Sequence, residues 1–369
     1  MALFTEQPSE RTGEPRRRGG VKGWAILGVA LVAGIALGVV PSPYVIEEPG
    51  PVYNTLGTAP NADDVETPLI SIPDETVYPT EGNLDLLTVS VFGNRETRPS
   101  WLAVATAWLD PSQAVIPVDQ VFPDDVTTEQ RDSQNQAAMV NSQQDAIAAA
   151  LTHLDYDYPT TVSVVSLPDG SPAEGLLQDG DIITAVDGTA VGNISELRAA
   201  LQIAGIDAPV AVDVLRDGTP QTIEVTPIEN AGSVVLGINV TTTYQFPFTV
   251  ELELDRVGGP SAGMMFALGI IDKLTPDSLQ GGAHVAGTGT IDQAGDVGPI
   301  GGIQQKLYGA RDAGAEWFLA PADNCDEVTG HVPDGLTVFS VKTLDEAITA
   351  LDAVRTGADT SGLPSCPSK

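Results

Sequence analysis

The stretch Gly258-Gly259-Pro260-Ser261-Ala262-Gly263 constrains this 369-residue chain more than any other. A turn of two glycines and a proline hands a serine directly to an apolar run: Met264, Met265, Phe266, Leu268, Ile270 and Ile271. Such a run predicts a buried helix with Ser261 at its N-terminus. There, unpaired N–H groups and the positive dipole end favour a developing negative charge. A serine hydroxyl is a poor nucleophile until a base takes its proton. A candidate base follows in Pro299-Ile300-Gly301-Gly302-Ile303-Gln304-Gln305-Lys306. Ile303, Leu307 and Ala310 recur at helical spacing, and Lys306 falls on the same apolar face. Burial disfavours the ammonium form of a lysine, so Lys306 can serve as a neutral base. Each half has a plain alternative. Gly-Pro-Ser before a helix is often an N-cap, and a lysine on an apolar face often snorkels to water.

Gly287-Thr288-Gly289 and Asp296-Val297-Gly298 lie between the two stretches. Together, in this order, they resemble the proteolytic domain of the Lon peptidase family over residues 248 to about 326. That family carries its nucleophile in a Gly-Pro-Ser-Ala-Gly turn and its lysine after Pro-Ile-Gly-Gly. The resemblance implies that Ser261 is the nucleophile and Lys306 its base. It also implies that Thr288 helps hold the lysine and that Gly259 and Pro260 shape the turn. One position departs from the pattern: bacterial Lon proteins commonly have an acidic residue three positions before the serine, where this chain has Gly258.

Residues 23–40 form an uncharged apolar run of 18, with Trp24 and Tyr44 near its ends. At about 1.5 Å per residue it spans a bilayer core as a helix. Five basic residues precede it (Arg11, Arg16, Arg17, Arg18 and Lys22). They predict a single transmembrane helix with a cytosolic tail over 1–22 and an extracytoplasmic remainder in a bacterial cell membrane. A cleaved signal peptide is the competing reading. No Ala-x-Ala site ends the run, which favours a retained anchor, and both readings export the bulk of the chain. After residue 22 there remain 12 basic against 47 acidic residues. A surface so acidic repels nucleic acid, which excludes it as a partner, and it repels anionic lipid surfaces as well.

Residues 41–82 are rich in proline, glycine and acids and predict an extended stalk. Residues 84–92 read as a strand, 101–109 as helix or strand, and 136–154 as an amphipathic helix. The strand and the last helix resemble elements that precede the serine in Lon proteolytic domains. The segment 83–154 is therefore expected to belong to the peptidase fold, with 232–355 as its catalytic part and 356–369 as a disordered tail.

Residues 159–228 have another texture. Short strands alternate with turns at Asp179-Gly180, Asp187-Gly188 and Asp217-Gly218, around a helix with Leu197, Ala200, Leu201 and Ala204 on one face. Ser171-Pro172-Ala173-Glu174-Gly175-Leu176, Asp179-Gly180-Asp181-Ile182-Ile183 and Val186-Asp187-Gly188 resemble a bacterial PDZ domain. The resemblance implies that a peptide adds as a strand beside the helix, with Val162, Val164, Leu197 and Leu201 as candidate contacts. No Gly-Leu-Gly-Phe type loop precedes Thr161. A spacer that binds nothing is the bland alternative.

The three histidines, His153, His284 and His331, have no metal-ligand spacing, so neither a metal nor any other cofactor is expected. No Gly-x-x-x-x-Gly-Lys-[Ser/Thr] loop occurs, so ATP is not expected as a partner. Cys325 and Cys366 lie in the exported part and form either a disulfide or two free thiols. The fold class expected is α+β: one N-terminal transmembrane helix and a Lon-like domain with an inserted PDZ domain. The function expected is an ATP-independent serine endopeptidase acting on exposed or unfolded envelope polypeptides. The alternative is a non-enzymatic scaffold that binds peptides through the PDZ domain. Lon-type domains often form rings, so the resemblance leaves a homo-oligomer open.

Overall fold

The computed structural model describes residues 20–61, 64–123, 127–168, 170–230, 232–254 and 257–367. The tail expected over 1–22 lies almost wholly outside them. The chain opens with helix α1 (Gly20–Val39), strands β1 (Tyr44–Asn54) and β2 (Asn83–Phe92), helix α2 (Trp101–Ala107), strand β3 (Ala114–Pro117) and helix α3 (Thr128–His153). Next come β4 (Thr160–Ser166), β5 (Ile182–Val186), α4 (Ile194–Ala204), β6 (Val210–Arg216), β7 (Thr219–Val225) and β8 (Asn239–Tyr244). The last third holds α5 (Gly263–Leu274), β9 (His284–Gly287), α6 (Ile303–Asp312), β10 (Trp317–Pro321), α7 (Cys325–Val328), β11 (Thr337–Val341) and α8 (Leu344–Thr356).

The chain divides into two units, residues 1–47 with 91–124, and residues 48–90 with 125–369. In the first, the start of β1 pairs antiparallel with β3, from Tyr44 opposite Pro117 to Glu47 opposite Ala114. Val45, Val118 and Phe122 form its small core. Residues 101–109, readable as helix or strand, begin with α2, capped by Ser100 Oγ accepting from Ala103 N. Among the described residues no helix is long and apolar enough to cross a membrane. The side chains of residues 20–23, 32–33 and 35–36, within α1, are outside the described set.

The second unit is built on a sheet in which β11, β10, β9, β2 and β1 are successive neighbours. The β2–β9, β9–β10 and β10–β11 pairs are parallel. Alternate residues serve opposite faces, as strand geometry requires. Val285 and Leu319 join a core with α3, α5 and α8. Ala286, Phe318 and Ala320 join another with Ile303, Leu307 and Ala310 of α6. The segment 83–154 thus contributes β2 and α3 to the core that also holds α5.

Between α3 and α5 lies a second sheet, in the order β7-β6-β5-β4-β8, with its own core around Val162, Ile183, Leu201, Val212 and Leu236. The PDZ-like sheet therefore runs on to Tyr244, past the boundary expected at 228. Alternation in 233–240 identifies a strand but not the sheet that receives it.

Residues 41–82 are not a stalk. Glu48-Pro49-Gly50-Pro51, which reads as a turn, lies inside β1. Gly50 is needed there because a Cβ would lie 2.3 Å from Thr88 Oγ1 on β2. Leu69 and Ile70 are buried in the core with α5. Residues 356–367 are not a loose tail either. A Cys325–Cys366 disulfide, with Cα atoms 4.9 Å apart, fastens them to α7. Ser340 N also donates to Pro364 O at 2.9 Å, and Thr329 Oγ1 to Pro367 O at 3.0 Å. A Gly/Pro/Ser-rich composition conceals a segment held from outside itself.

The bridge closes a loop with a sequence separation of 41. Reduction, or Cys366→Ser, is expected to cost about 3–4 kcal/mol of stability. Thermal unfolding with and without dithiothreitol measures this, and the Cys366→Ser protein should show no further response to reductant.

Candidate active site

Ser261 lies two residues before α5, at the end of a turn that passes through positive φ at Gly259 (+90°). No side chain caps α5, and Met264 N is engaged by Gly289 O at 3.1 Å. The helix therefore presents its positive end at the serine. The turn is held from behind by α3: Gly259 N donates to Asn135 O at 2.9 Å, and Ser142 Oγ to Pro260 O at 2.9 Å. From the other side, Gly289 N and Thr288 Oγ1 both donate to Ser261 O at 2.9 Å. Both flanking carbonyls are thus fixed, which leaves Oγ free to point away from the backbone.

Lys306 lies on α6, which starts at Gly302 in the left-handed region (φ +68°). A Cβ at Gly302 would stand 2.7 Å from Val89 Cγ2, so only glycine lets the helix begin against β2. One turn on, Lys306 projects between the α6 core and the serine, 2 % exposed. Its Nζ lies 2.8 Å from Ser261 Oγ and 2.9 Å from Thr288 Oγ1, itself fully buried. Desolvation by burial lowers the Lys306 pKa from 10.5 to about 7. Hydrogen-bond bookkeeping then assigns direction. The Thr288 proton is committed to Ser261 O, so its oxygen accepts from Lys306. As the neutral amine, Lys306 keeps a lone pair able to accept the proton of Ser261 Oγ, 2.8 Å away.

Five residues named from sequence therefore meet at one place: Ser261, Lys306, Thr288, Gly259 and Pro260. A cavity of about 530 Å³ opens on Ser261 and Lys306. Leu87, Val89, Val257 and Tyr53 give it apolar walls, and β2, from Leu87 to Ser90, lies along it. A second cleft of about 370 Å³ reaches Ser261 past Thr290 and Ile300. Ser142 was not singled out by sequence reasoning. Its signal was a lone hydroxyl inside the apolar stripe of a helix, which is buried at 4 % exposure.

The four candidate peptide contacts are elsewhere. Val162 and Val164 are 0 % and 2 % exposed on β4, which is flanked on both sides by β5 and β8, and Leu197 and Leu201 are each 4 % exposed. All four belong to the core of the PDZ-like sheet, so none is a contact surface. Of the two edge strands, β7 and β8, it is β8 that packs with Ser233–Val235 against α4. Leu236-Gly237-Ile238 leads into it, with Gly237 at φ +68°. His153 faces Asp345 and His284 faces Asp85, and none of the three histidines lines the cavities at Ser261. Among the described residues no group of three or more His, Cys, Asp or Glu is placed to hold a metal.

The chain's similarity to known proteins follows this geometry. Residues 256–353 match the family described as "Lon protease (S16) C-terminal proteolytic domain", and residues 131–226 the family described as "PDZ domain". The chain carries a Lon-type serine peptidase domain joined to a PDZ domain, in a mixed α+β architecture. Over 93 residues it is 40 % identical to Lon protease 1 of Sorangium cellulosum, covering 24 % of this chain and 11 % of that one. Over 181 residues it is 26 % identical to the Lon protease of Fusobacterium nucleatum, covering 45 % and 22 %. It thus spans only a small part of the curated relatives it matches. Among solved structures, the PDZ domain of an SdrC-like protein from Listeria monocytogenes aligns at 25 % identity and a TM-score of 0.20, covering 21 % of this chain and 85 % of that one.

At Gly258, where bacterial Lon proteins commonly carry an acid, a Cβ would lie 2.9 Å from Asn135 Cβ. Gly258→Asp is expected to push the turn off α3, with a loss of about 1–3 kcal/mol in stability and a matching fall in Ser261 reactivity. Thermal unfolding and the rate of fluorophosphonate labelling read the two effects.

Reactivity should also follow the lysine. With Lys306 as the base, which acts only when deprotonated, labelling of Ser261 is expected to be low in acid, rise through a pH of about 7 and level off above it. A labelling rate that is flat across that range contradicts the assignment.

Proposed function

We propose that this protein is a membrane-anchored, ATP-independent serine endopeptidase, with Ser261 as nucleophile and Lys306 as base. The observation that carries it is the buried Lys306 amine 2.8 Å from Ser261 Oγ, with its pKa lowered to about 7. Neutral Lys306 takes the proton of Ser261 as Oγ attacks a peptide carbonyl. Backbone amides of the turn and the N-terminus of α5 stabilise the oxyanion. The ammonium of Lys306 then donates its proton to the leaving amine, and an acyl-enzyme remains on Ser261. Water, deprotonated by the same amine, releases the acid product and restores the serine. Thr288 keeps the amine in register throughout.

The substrate is a polypeptide in extended form. The apolar cavity along β2 accommodates a side chain beside the reacting carbonyl, and beyond Leu86, where its pairing with β9 stops, β2 suits main-chain pairing. The PDZ domain recruits substrate at the open edge of β8, with Leu236-Gly237-Ile238 as the loop at the groove's end. Anchoring is supported by the uncharged apolar run of 18 residues over 23–40 in the sequence. On α1, Trp24, Ile26, Leu27 and Val29 are each at least 65 % exposed, an arrangement suited to lipid. The basic cluster before that run supports a topology with the bulk of the chain outside the cytosol.

Fluorophosphonate labelling of the purified protein, together with turnover of a quenched-fluorescent unstructured peptide, tests this reading. Wild type should label and cut without ATP, and Ser261→Ala should do neither. Lys306→Arg keeps a positive charge but supplies no neutral base, so it should lose turnover as fully as the serine variant. Wild-type protein that neither labels nor cuts would leave a peptide-binding scaffold as the reading.

A further inference from the structure

Helix α3 does more than fill the core. Along one side it grips the chain that leads to the nucleophile: Gln143 Nε2 donates to Leu252 O at 3.3 Å, Asn135 O receives Gly259 N, and Ser142 Oγ donates to Pro260 O. One turn beyond Ser142, Asp145 Oδ1 accepts from Tyr244 Oη at 2.8 Å. Tyr244 is the last residue of β8, an edge strand of the PDZ sheet. Its ring stacks on Phe246 at 5.3 Å and meets Tyr158 edge-on at 6.2 Å. Tyr158 Oη in turn donates to Ala148 O of α3 at 2.8 Å. The strands entering and leaving the PDZ sheet are therefore both fastened to α3, within two turns of the residue that holds the nucleophile turn.

We infer that α3 is a strut which positions Ser261, and that Ser142, Asp145 and Tyr244 are positioning residues, with the Tyr244–Asp145 hydrogen bond setting the strut from the PDZ side. The inference rests on the peptidase reading of Ser261. None of the three contacts the reacting atoms. Ser142 acts on the carbonyl of the residue before the nucleophile, so a shift of α3 moves the direction of Ser261 Oγ relative to Lys306 Nζ. Asp145 sits three residues along the same helix and cannot move independently of Ser142. A peptide adding to β8 would extend a strand that ends on this hydrogen bond.

The test uses full-length protein in detergent, with a short quenched-fluorescent peptide and a fluorophosphonate as probes. Ser142→Ala and Tyr244→Phe should each lower kcat roughly ten-fold, with KM held within about two-fold, because attack geometry is lost and substrate binding is not. The fluorophosphonate labelling rate should fall in parallel. Asp145→Asn keeps an oxygen that accepts from Tyr244 and should retain most activity, whereas Asp145→Leu should match Tyr244→Phe. The Asp145→Leu/Tyr244→Phe double variant should be no worse than either single one. Wild-type turnover with kcat unchanged in Tyr244→Phe and Asp145→Leu overturns the inference and leaves the peptidase reading intact, and so does equal loss in Asp145→Asn and Asp145→Leu. If Ser142→Ala fails to fold, the Tyr244 and Asp145 variants still decide. Wild-type protein that neither cuts nor labels overturns both.

Discussion

The structure depends on one costly burial: the amine of Lys306 is held away from water with two hydroxyls and, among the described residues, no carboxylate as partners. A drop from 10.5 to about 7 corresponds to something on the order of 5 kcal/mol withheld from the charged form. The chain's strong net negative charge acts the other way and favours the ammonium. A surface charge some 10 Å off contributes only about 0.4 kcal/mol in water, however, and salt screens it further. Burial wins by magnitude. Gly258 is consistent with this, because an acid at that position would crowd Asn135, and the chain carries none there.

The surrounding fold makes that burial tolerable. Thr288 directly follows β9, and the lining residues Leu87 to Ser90 lie just beyond the part of β2 paired with β9, so the site stands past the carboxyl end of that parallel pairing. Loops meeting there can carry reactive groups while the strands stay rigid. Ser261 comes from one face of the sheet with α5, and Lys306 from the other with α6. They meet only beyond the strand ends, where no backbone separates them.

The local parts were legible in the sequence because their causes are local. A Gly-Gly-Pro turn before an apolar run fixes the serine's place, and the Ile303, Leu307, Ala310 stripe fixes the lysine's face. What stayed hidden depends on partners distant in the chain. Gly50 reads as a turn residue until Thr88 is seen against it. Val162 and Val164 read as an accessible strand until β8 arrives nearly 80 residues later to cover β4. Residues 356–367 read as disordered because the bond that orders them is made by a cysteine 41 positions away. Ser142 reads as an ordinary helix residue because the carbonyl it serves is 118 residues downstream.

That separation also explains how a second sheet can interrupt the first at little cost. A domain inserted in a loop is tolerated when its two ends lie close together, and here Tyr158 and Tyr244 have rings 6.2 Å apart. The aromatic cluster they form with Phe246 does not belong to the core of the PDZ-like sheet. It belongs to the junction, where it bears on α3 through Ala148 and Asp145. A flexible linker would have decoupled the two parts. A junction built from packed rings and half-buried hydroxyls ties them to one helix, and that helix also holds the turn bearing Ser261.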